Sequence, residues 1–281
     1  MHDSLRRRWS APAPVLALVV FGFLLSGCQI TPHASDDGSS DLAALSNEIA
    51  ELQRRITARE DVDAIVQLMN MYGYYMDHAL YDEVLALLSD DVASCEIGGY
   101  GVFHGKEGCR RLWKDLIGKY YGGDRNRMVF GYLVKHYITK PVVTLGSDGT
   151  TAKGRFDYLG AGGRLATPGR EGFQLGVYNI DFVKEDGIWK IGKFWLTFNT
   201  SGFLAADWPD HSGFRCPSPD VRPDAPTTWY HPFPETGIPP FHFAHPVTGQ
   251  LVEPYVHPQR YWIGNWPGEF GGPCGKRETH E

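Results

Sequence analysis

Lys184-Glu-Asp-Gly-Ile-Trp-Lys-Ile191 is the stretch that decides the fold. Its Glu185-Asp-Gly187 core is a tight-turn signal between two apolar runs, and an Asp-Gly pair in that setting closes a β-hairpin. Gly172–Val183 before it and Ile188–Phe198 after it alternate with a period of two, as half-buried strands do. A second turn signal, Gly146-Ser-Asp-Gly149, separates two earlier runs, Met128–Ile138 and Thr150–Leu159. Long strands joined by tight turns predict an antiparallel sheet.

Upstream the period changes to that of a helix. Val62, Ile65, Val66, Met69, Tyr72 and Met76 mark one face of a helix over about residues 59–78. A short helix at Tyr81–Leu88 follows, then a short strand at Val92–Ile97. A third helix starts after Gly105, with Cys109, Leu112, Leu116, Ile117 and Tyr120 on one face. Helices followed by strands predict an α+β layer in which the helices cover one concave face of the sheet. Ahead of this block, Leu42, Leu45, Ile49, Leu52 and Ile56 recur every three to four residues. They predict a separate N-terminal helix over 42–57 that lies on its own domain or on a second copy.

Strand parity sorts the side chains. Gly154, Phe156 and Tyr158 face opposite to Lys153, Arg155 and Asp157, and the apolar set is expected to face inward. The same logic gives Gly176, Tyr178, Ile180 and Phe182 an inward face, and puts Trp189, Ile191, Lys193 and Trp195 on one side. Tyr158, Tyr178 and Trp195 are therefore candidates to line a pocket, with ordinary core packing as the other reading of each ring. His136 sits in the apolar run Leu133-Val-Lys-His-Tyr-Ile138. An imidazole buried there needs a polar partner. Asp77 closes Tyr72-Gly-Tyr-Tyr-Met-Asp77. A His–Asp pair is a sensible general base, because the carboxylate fixes the tautomer and the imidazole titrates near neutral pH. Glu96, in Ser94-Cys-Glu-Ile97, reads as a second acid or base or as a surface carboxylate. Tyr74, Tyr75 and Tyr100 are further hydroxyl donors near the mouth of such a pocket.

This order of elements, with an Asp at the end of the first helix and a His in the first long strand, resembles the SnoaL-like and scytalone-dehydratase-like branch of the nuclear transport factor 2-like superfamily. The resemblance implies a cone-shaped, strongly bent antiparallel sheet with about three helices enclosing an apolar pocket, over residues 58–198. It implies that His136 and Asp77 project into that pocket. It also implies a homodimer or higher homo-oligomer. The chain departs from the scytalone dehydratase pattern where a second His is expected, in Phe156, Tyr158 and Gly160–Gly163. Gly176 and Tyr178 replace the polar residues of the next strand. The expected activity is that of a cofactor-independent lyase or isomerase on an apolar, aromatic small molecule of the lignin-derived type. Dehydration and retro-aldol loss of formaldehyde both fit a His–Asp base. The alternatives are a non-catalytic, lipid-anchored protein that binds a hydrophobic ligand, and a ketosteroid-isomerase-like enzyme using Glu96 with tyrosines.

The ends of the chain read differently. Arg6-Arg7-Arg8, an apolar run from Val15 to Leu25, and Leu25-Ser-Gly-Cys28 form a lipoprotein signal over 1–27, with lipid attached to Cys28. Residues 28–41 read as a flexible tether, and Gln29 points to the outer membrane on its periplasm-facing side. Without residues 1–27 the chain keeps 24 basic and 32 acidic residues, a formal charge of −8. No basic stripe remains, which excludes nucleic acid as a partner. Residues 199–281 hold 14 of the 19 prolines but also many aromatic rings, so they predict an ordered, irregular extension rather than a disordered tail. Its use is either a lid on the pocket or structural cladding. In an oxidising compartment Cys216 and Cys274 are candidates to staple this extension, although spacing leaves the pairing open. His242-Phe-Ala-His245 has metal-like spacing without the Cys or acidic residues that would complete a site, and no metal is assigned.

Overall fold

The structure, a computed structural model, describes residues 37–121, 126–165, 171–204, 216–228 and 239–253. The expected signal segment, Cys28, Cys274 and most of the tail aromatics lie outside the described residues. The chain divides into two compact units, residues 1–48 and 49–281. In the first, the described residues belong to a helix, and residues 39–48 are exposed. The second holds every strand among the described residues, and the core.

The helix α1 runs from Asp37 to Asp77 without a break. The two N-terminal helices expected from the sequence are therefore one element, and it begins inside the stretch read as a tether. No Gly or Pro lies between Leu42 and Tyr72, so nothing in the sequence stops it. It ends through Ala79, which takes the left-handed conformation (φ 54°). Leu80 N–H then bonds the Tyr75 carbonyl at 2.9 Å and Ala79 N–H the Met76 carbonyl at 3.2 Å, the paired bonds of a Schellman stop. Then come α2 (Tyr81–Ala86), β1 (Ser94–Ile97), β2 (Gly101–His104) and α3 (Gly105–Arg110). A π-helical stretch, Arg111–Ile117, follows α3 and leads into a last turn, α4 (Gly118–Tyr121). The wider turn lets Leu112 and Trp113, adjacent in sequence, both be fully buried.

Four long strands complete the domain: β3 (Tyr132–Leu145), β4 (Thr151–Arg164), β5 (Gly172–Glu185) and β6 (Ile188–Phe203). The sheet is strongly curved, with order β2-β1-β6-β5-β4-β3. All pairings are antiparallel except β1 with β6, which is parallel. The strands are longer than periodicity alone suggests. β3 continues past Ile138 through a bulge at Lys140-Pro141, and β4 continues through Gly160–Gly163. At the hairpin that opens the sequence argument, Asp186 and Gly187 both have positive φ (50° and 79°), as a type I′ turn requires.

Two bulges in β6 set which side chains face inward. Asp181 pairs with Lys193 while Phe182 pairs with Ile191, so Gly192 is an extra residue. Leu175 pairs with Thr200 while Gly176 pairs with Phe198, so Asn199 is another. Each extra residue reverses the alternation and bends the strand. Ile191, Phe194, Leu196 and Phe198 therefore all join the core with Tyr72, Tyr158, Tyr178 and Trp113. Trp195 and Lys193 turn to the outer face. The expectation that Trp195 lines the pocket with Tyr158 and Tyr178 is corrected here: a strict period of two does not survive Gly192.

Register also carries Glu96 to the outer face, because Glu96 pairs with Trp195 and with Val102. Its neighbour Cys95 points inward and is disulfide-bonded to Cys109 of α3. Glu96, Trp195, Asn179 and Arg155 form one row across four strands. Both ends of that row hold the C-terminal extension. Glu96 accepts hydrogen bonds from Thr227 Oγ1 (2.5 Å), Thr228 N–H (2.7 Å) and Thr228 Oγ1 (2.7 Å). Arg155 donates to the Pro239 and Pro240 carbonyls at 3.0 and 3.2 Å and stacks on Phe241. Arg111 pairs with Asp224, and Ala225 forms a bridge with Val102. The described part of the extension is thus ordered cladding on the sheet. Cys216 is disulfide-bonded, and its expected partner Cys274 lies outside the described residues.

Replacing Glu96 with Ala leaves three donors of the extension without their acceptor. Leaving a buried donor unsatisfied costs about 1–3 kcal/mol. The thermal midpoint should fall and limited proteolysis should cut first within residues 216–228. An unchanged protease pattern in Glu96→Ala would show that this clamp does not hold the extension.

Candidate active site

The end of α1 meets the edge strand β3. Gly73, one turn before Asp77, makes the close approach possible, since a Cβ there would stand 3.3 Å from Ile138 Cδ1 and 3.4 Å from the His136 carbonyl oxygen. Asp77 is buried at this junction, with its side chain 4% exposed. Its Oδ1 accepts the His136 backbone N–H at 2.7 Å and lies 3.0 Å from His136 Nδ1. Its Oδ2 is ion-paired with Lys135 Nζ. The structure therefore brings together the two residues that sequence reasoning paired, and adds Lys135. Lys135 neighbours His136 in a strand, so alternation gives it the opposite face. It escaped the sequence reading for that reason. Because β3 is the sheet edge, the long lysine side chain reaches around it to the carboxylate.

With Nδ1 on the carboxylate, Nε2 of His136 is the ring atom placed to exchange a proton. The imidazole stacks on Tyr158, ring centres 5.5 Å apart. Gly160 lies directly across from His136, and a Cβ on it would collide with the Tyr158 ring. The glycine stretch that replaces the second histidine thus makes room for a tyrosine beside the first. Tyr158 donates its hydroxyl to Gln174 Oε1 at 3.1 Å. Behind it, Tyr178 and Tyr158 pack edge to face at 5.3 Å, Tyr178 and Tyr72 at 5.8 Å, and Tyr72 and Trp113 at 6.4 Å. Tyr178 Oη and Trp113 Nε1 are buried without a hydrogen-bond partner among the described residues. Burial pushes the Tyr72 and Tyr178 hydroxyls above the ordinary tyrosine value, so both stay protonated and can donate.

The other expected site residues are placed elsewhere. Glu96 faces the far side of the sheet with its carboxylate taken up by Thr227 and Thr228, and the structure does not bring it to His136. That removes the carboxylate needed for a ketosteroid-isomerase-like arrangement. Trp195 shares the outer face. Tyr74 is 64% exposed, under the Lys135 ammonium at 6.0 Å. Tyr75 and Tyr100 are partly buried against the core. Trp113, Tyr72 and Gln174 join the inner group and were not singled out from sequence. Tyr72 was legible only as part of a helix face, and the π-helical turn that buries Trp113 has no signature in the residues.

For Asp77, burial acts to raise the carboxyl, but hydrogen bonds from His136 and Lys135 and the His136 charge outweigh it, and the net shift is downward from 3.8. A carboxyl lowered in the folded state adds stability above its unfolded value and loses it as pH falls through its folded one. Stability should therefore drop on acidification below about pH 3.8 with a step that Asp77→Asn removes. Chemical denaturation from pH 6 down to pH 2, on both proteins, checks this; parallel curves would contradict it.

Residues 57–194 match the family model of the SnoaL-like domain. Among solved structures, one similar chain comes from Novosphingobium aromaticivorans and is named, provisionally, a scytalone dehydratase. It is 20% identical, with 58% of this chain and 96% of that chain covered and a TM-score of 0.46. A type 2 hexachlorocyclohexane dehydrochlorinase is also 20% identical, covering 59% of this chain and 99% of its own, at a TM-score of 0.46. A type 3 enzyme of the same name from Novosphingobium barchaimii is 20% identical, covering 54% and 96%, at 0.45. No curated protein matches the chain. The end of α1, most of the curved sheet and the His136–Asp77 pair lie within residues 57–194, which form a SnoaL-like domain.

Proposed function

We propose that the protein is a cofactor-independent lyase or isomerase acting on an apolar, aromatic small molecule of the lignin-derived type. The observation that carries this reading is the buried contact of His136 Nδ1 with Asp77 Oδ1 at 3.0 Å, with Lys135 on the second carboxylate oxygen. His136 Nε2 takes a proton from the substrate, and Asp77 stabilises the imidazolium that forms. In a dehydration, the proton leaves carbon, a double bond forms, and the adjacent hydroxyl departs as water after protonation by the same imidazolium. In a retro-aldol cleavage, the proton leaves a primary hydroxyl, the carbon–carbon bond breaks, formaldehyde departs, and the carbanion is reprotonated. In either reaction the neutral hydroxyl of Tyr178 is the donor for developing charge on oxygen, and Tyr158 joins it by turning its hydroxyl from Gln174. Lys135 supports the ionised state of Asp77.

A second reading is a non-catalytic protein that binds a hydrophobic ligand. The packing of Tyr72, Tyr178, Phe194 and Trp113 ring against ring favours it, because rings that fill one another's space act as core.

Mass spectrometry of hydroxylated aromatic compounds and aryl dimers incubated with the protein, with a formaldehyde assay alongside, separates the two. We expect turnover that falls by about 10²–10⁴-fold in His136→Ala, the usual weight of a general base, with the circular dichroism spectrum unchanged. Thermal stabilisation by the same compounds in both proteins, with no turnover in either, would replace the enzyme reading with the binding one.

The cell-envelope address is a further part of the proposal: lipidation at Cys28, anchoring in the outer membrane and exposure to the periplasm. It rests on the order of charged, apolar and small residues before Cys28. Among the described residues no helix is long and apolar enough to cross a membrane. Cys28→Ser should move the protein from the membrane fraction to the soluble fraction and abolish incorporation of labelled fatty acid. Equal labelling of both proteins would rule out Cys28 as the anchor.

A further inference from the structure

Within the second unit, Ile49, Leu52 and Ile56 are 48%, 45% and 57% exposed on α1. In sequence the same spacing runs back to Leu45 and Leu42, 53% and 70% exposed. Five large aliphatic side chains in water at steps of three and four are a heptad pattern with Leu42, Ile49 and Ile56 at a and Leu45 and Leu52 at d. The core of the second unit leaves Ile49, Leu52 and Ile56 uncovered. That core takes Ile65, Met69, Tyr72 and Met76 from α1, and Ile65 is nine residues beyond Ile56, about 900° or half a turn away around the helix. The outer face of the sheet is no substitute, since the extension already occupies the row from Glu96 to Arg155.

We infer that this stripe is the seam of a parallel two-stranded coiled coil with a second copy of the chain. The choice of residues points to that occupant. β-branched isoleucine at a with leucine at d favours two parallel strands over three or four. The flanking positions agree. Arg55 falls at g and Glu60 at the following e, so in a parallel, in-register pair each Arg55 meets the partner's Glu60. Both are exposed, and neither is in an ion pair among the described residues. Beside the seam, Glu51 pairs with Arg54 at c and f, away from the partner helix. The seam stops where the sequence stops it: the next d and a positions are Arg59 and Asp63, tied to each other at 3.1 Å. The stripe is only two heptads long, but the helix needs no separate nucleation, because its continuation is held by Asp61 to Trp189 and Lys184 and by the core.

Sedimentation of the full chain in density-matched detergent tests this. A dimer is expected, and Ile49→Asp with Leu52→Asp should convert it to monomer while the helical circular dichroism of the folded domain persists. Arg55→Glu should weaken the dimer several-fold, and adding Glu60→Arg should restore it, a rescue that only the parallel arrangement gives. A monomeric wild type, a dimer indifferent to the seam substitutions, or a charge swap that fails to rescue would each overturn the inference.

Discussion

The arrangement of this domain depends on two extra residues in one strand. Gly192 and Asn199 of β6 have no register partner on β5, and each reverses the alternation of a strand that is central in the sheet. Between them Phe194, Leu196 and Phe198 point to the concave side, where α1 and the π-helical stretch lie. If Gly192 were paired rather than bulged, strict alternation from Ile191 would turn Phe194 out to solvent and Trp195 into the core, a larger ring among rings that already touch. Gly192 also has little room for a side chain, with Val183 Cγ1 3.1 Å from where a Cβ would be. The bend in β6 is therefore linked to the position of every inward ring, including Tyr178 and Tyr158, and through them to the environment of His136.

The junction of α1 with β3 does for the chemistry what the bulges do for the core. A helix C-terminus is an unfavourable place for a carboxylate, because the helix dipole presents its negative end there. Asp77 is tolerated because three donors converge on it: a backbone N–H, an imidazole and an ammonium. The backbone donor is the informative one. It ties the carboxylate to the strand itself, so that the imidazole it orients cannot slide along β3 without breaking a second bond. Gly73 and Ala79 make this possible at either end of the last helical turns, one by letting the backbones approach and the other by stopping the helix in the left-handed conformation. A residue larger than Ala would strain position 79, which is fully buried.

Much of this was legible in the sequence. The turn signals at Gly146–Gly149 and Glu185–Gly187 placed the long hairpins, and the apolar spacing of α1 named its buried face. His136 was legible because a polar residue in an apolar run needs a partner, and Asp77 because its place at the end of the helix resembles that of the family's carboxylate. What escaped reading has specific causes. A bulge has no residue signature beyond a glycine among many, so Trp195 was put on the wrong face. Glu96 looked chemical because nothing local explains a carboxylate in a short strand, and the residues that satisfy it, Thr227 and Thr228, are more than a hundred positions away. Lys135 was hidden by parity, which ignores how far a lysine reaches at a sheet edge. The break expected between residues 57 and 59 came from treating a change of helix face as the end of a helix. The apolar stripe rotates by half a turn after Ile56, while the backbone continues.

That rotation and the extension belong to one argument about surfaces. The row Glu96–Trp195–Asn179–Arg155 would be an exposed face in a chain ending near Phe203, and here the extension lies on it. The docking is not comfortable along its length. Asn179 Nδ2, Trp195 Nε1, Thr197 Oγ1 and His242 Nε2 are buried without hydrogen-bond partners among the described residues. Burial, with help from the Arg155 and Lys153 charges, lowers the proton affinity of His242 and keeps its ring neutral. Unsatisfied polar atoms weigh against the docked state, so attachment falls to the clamps at Glu96 and Arg155 and to the Arg111–Asp224 pair. These clamps use charge-assisted hydrogen bonds, the strong kind, and they hold the extension at points on both sides of the unsatisfied patch. The cover stops short of the β3 edge, where Leu133, Tyr137 and Leu159 stay exposed on β3 and β4. Among the exposed aliphatic residues described, those of α1 are the ones spaced at a and d positions, the pattern that fits a partner helix.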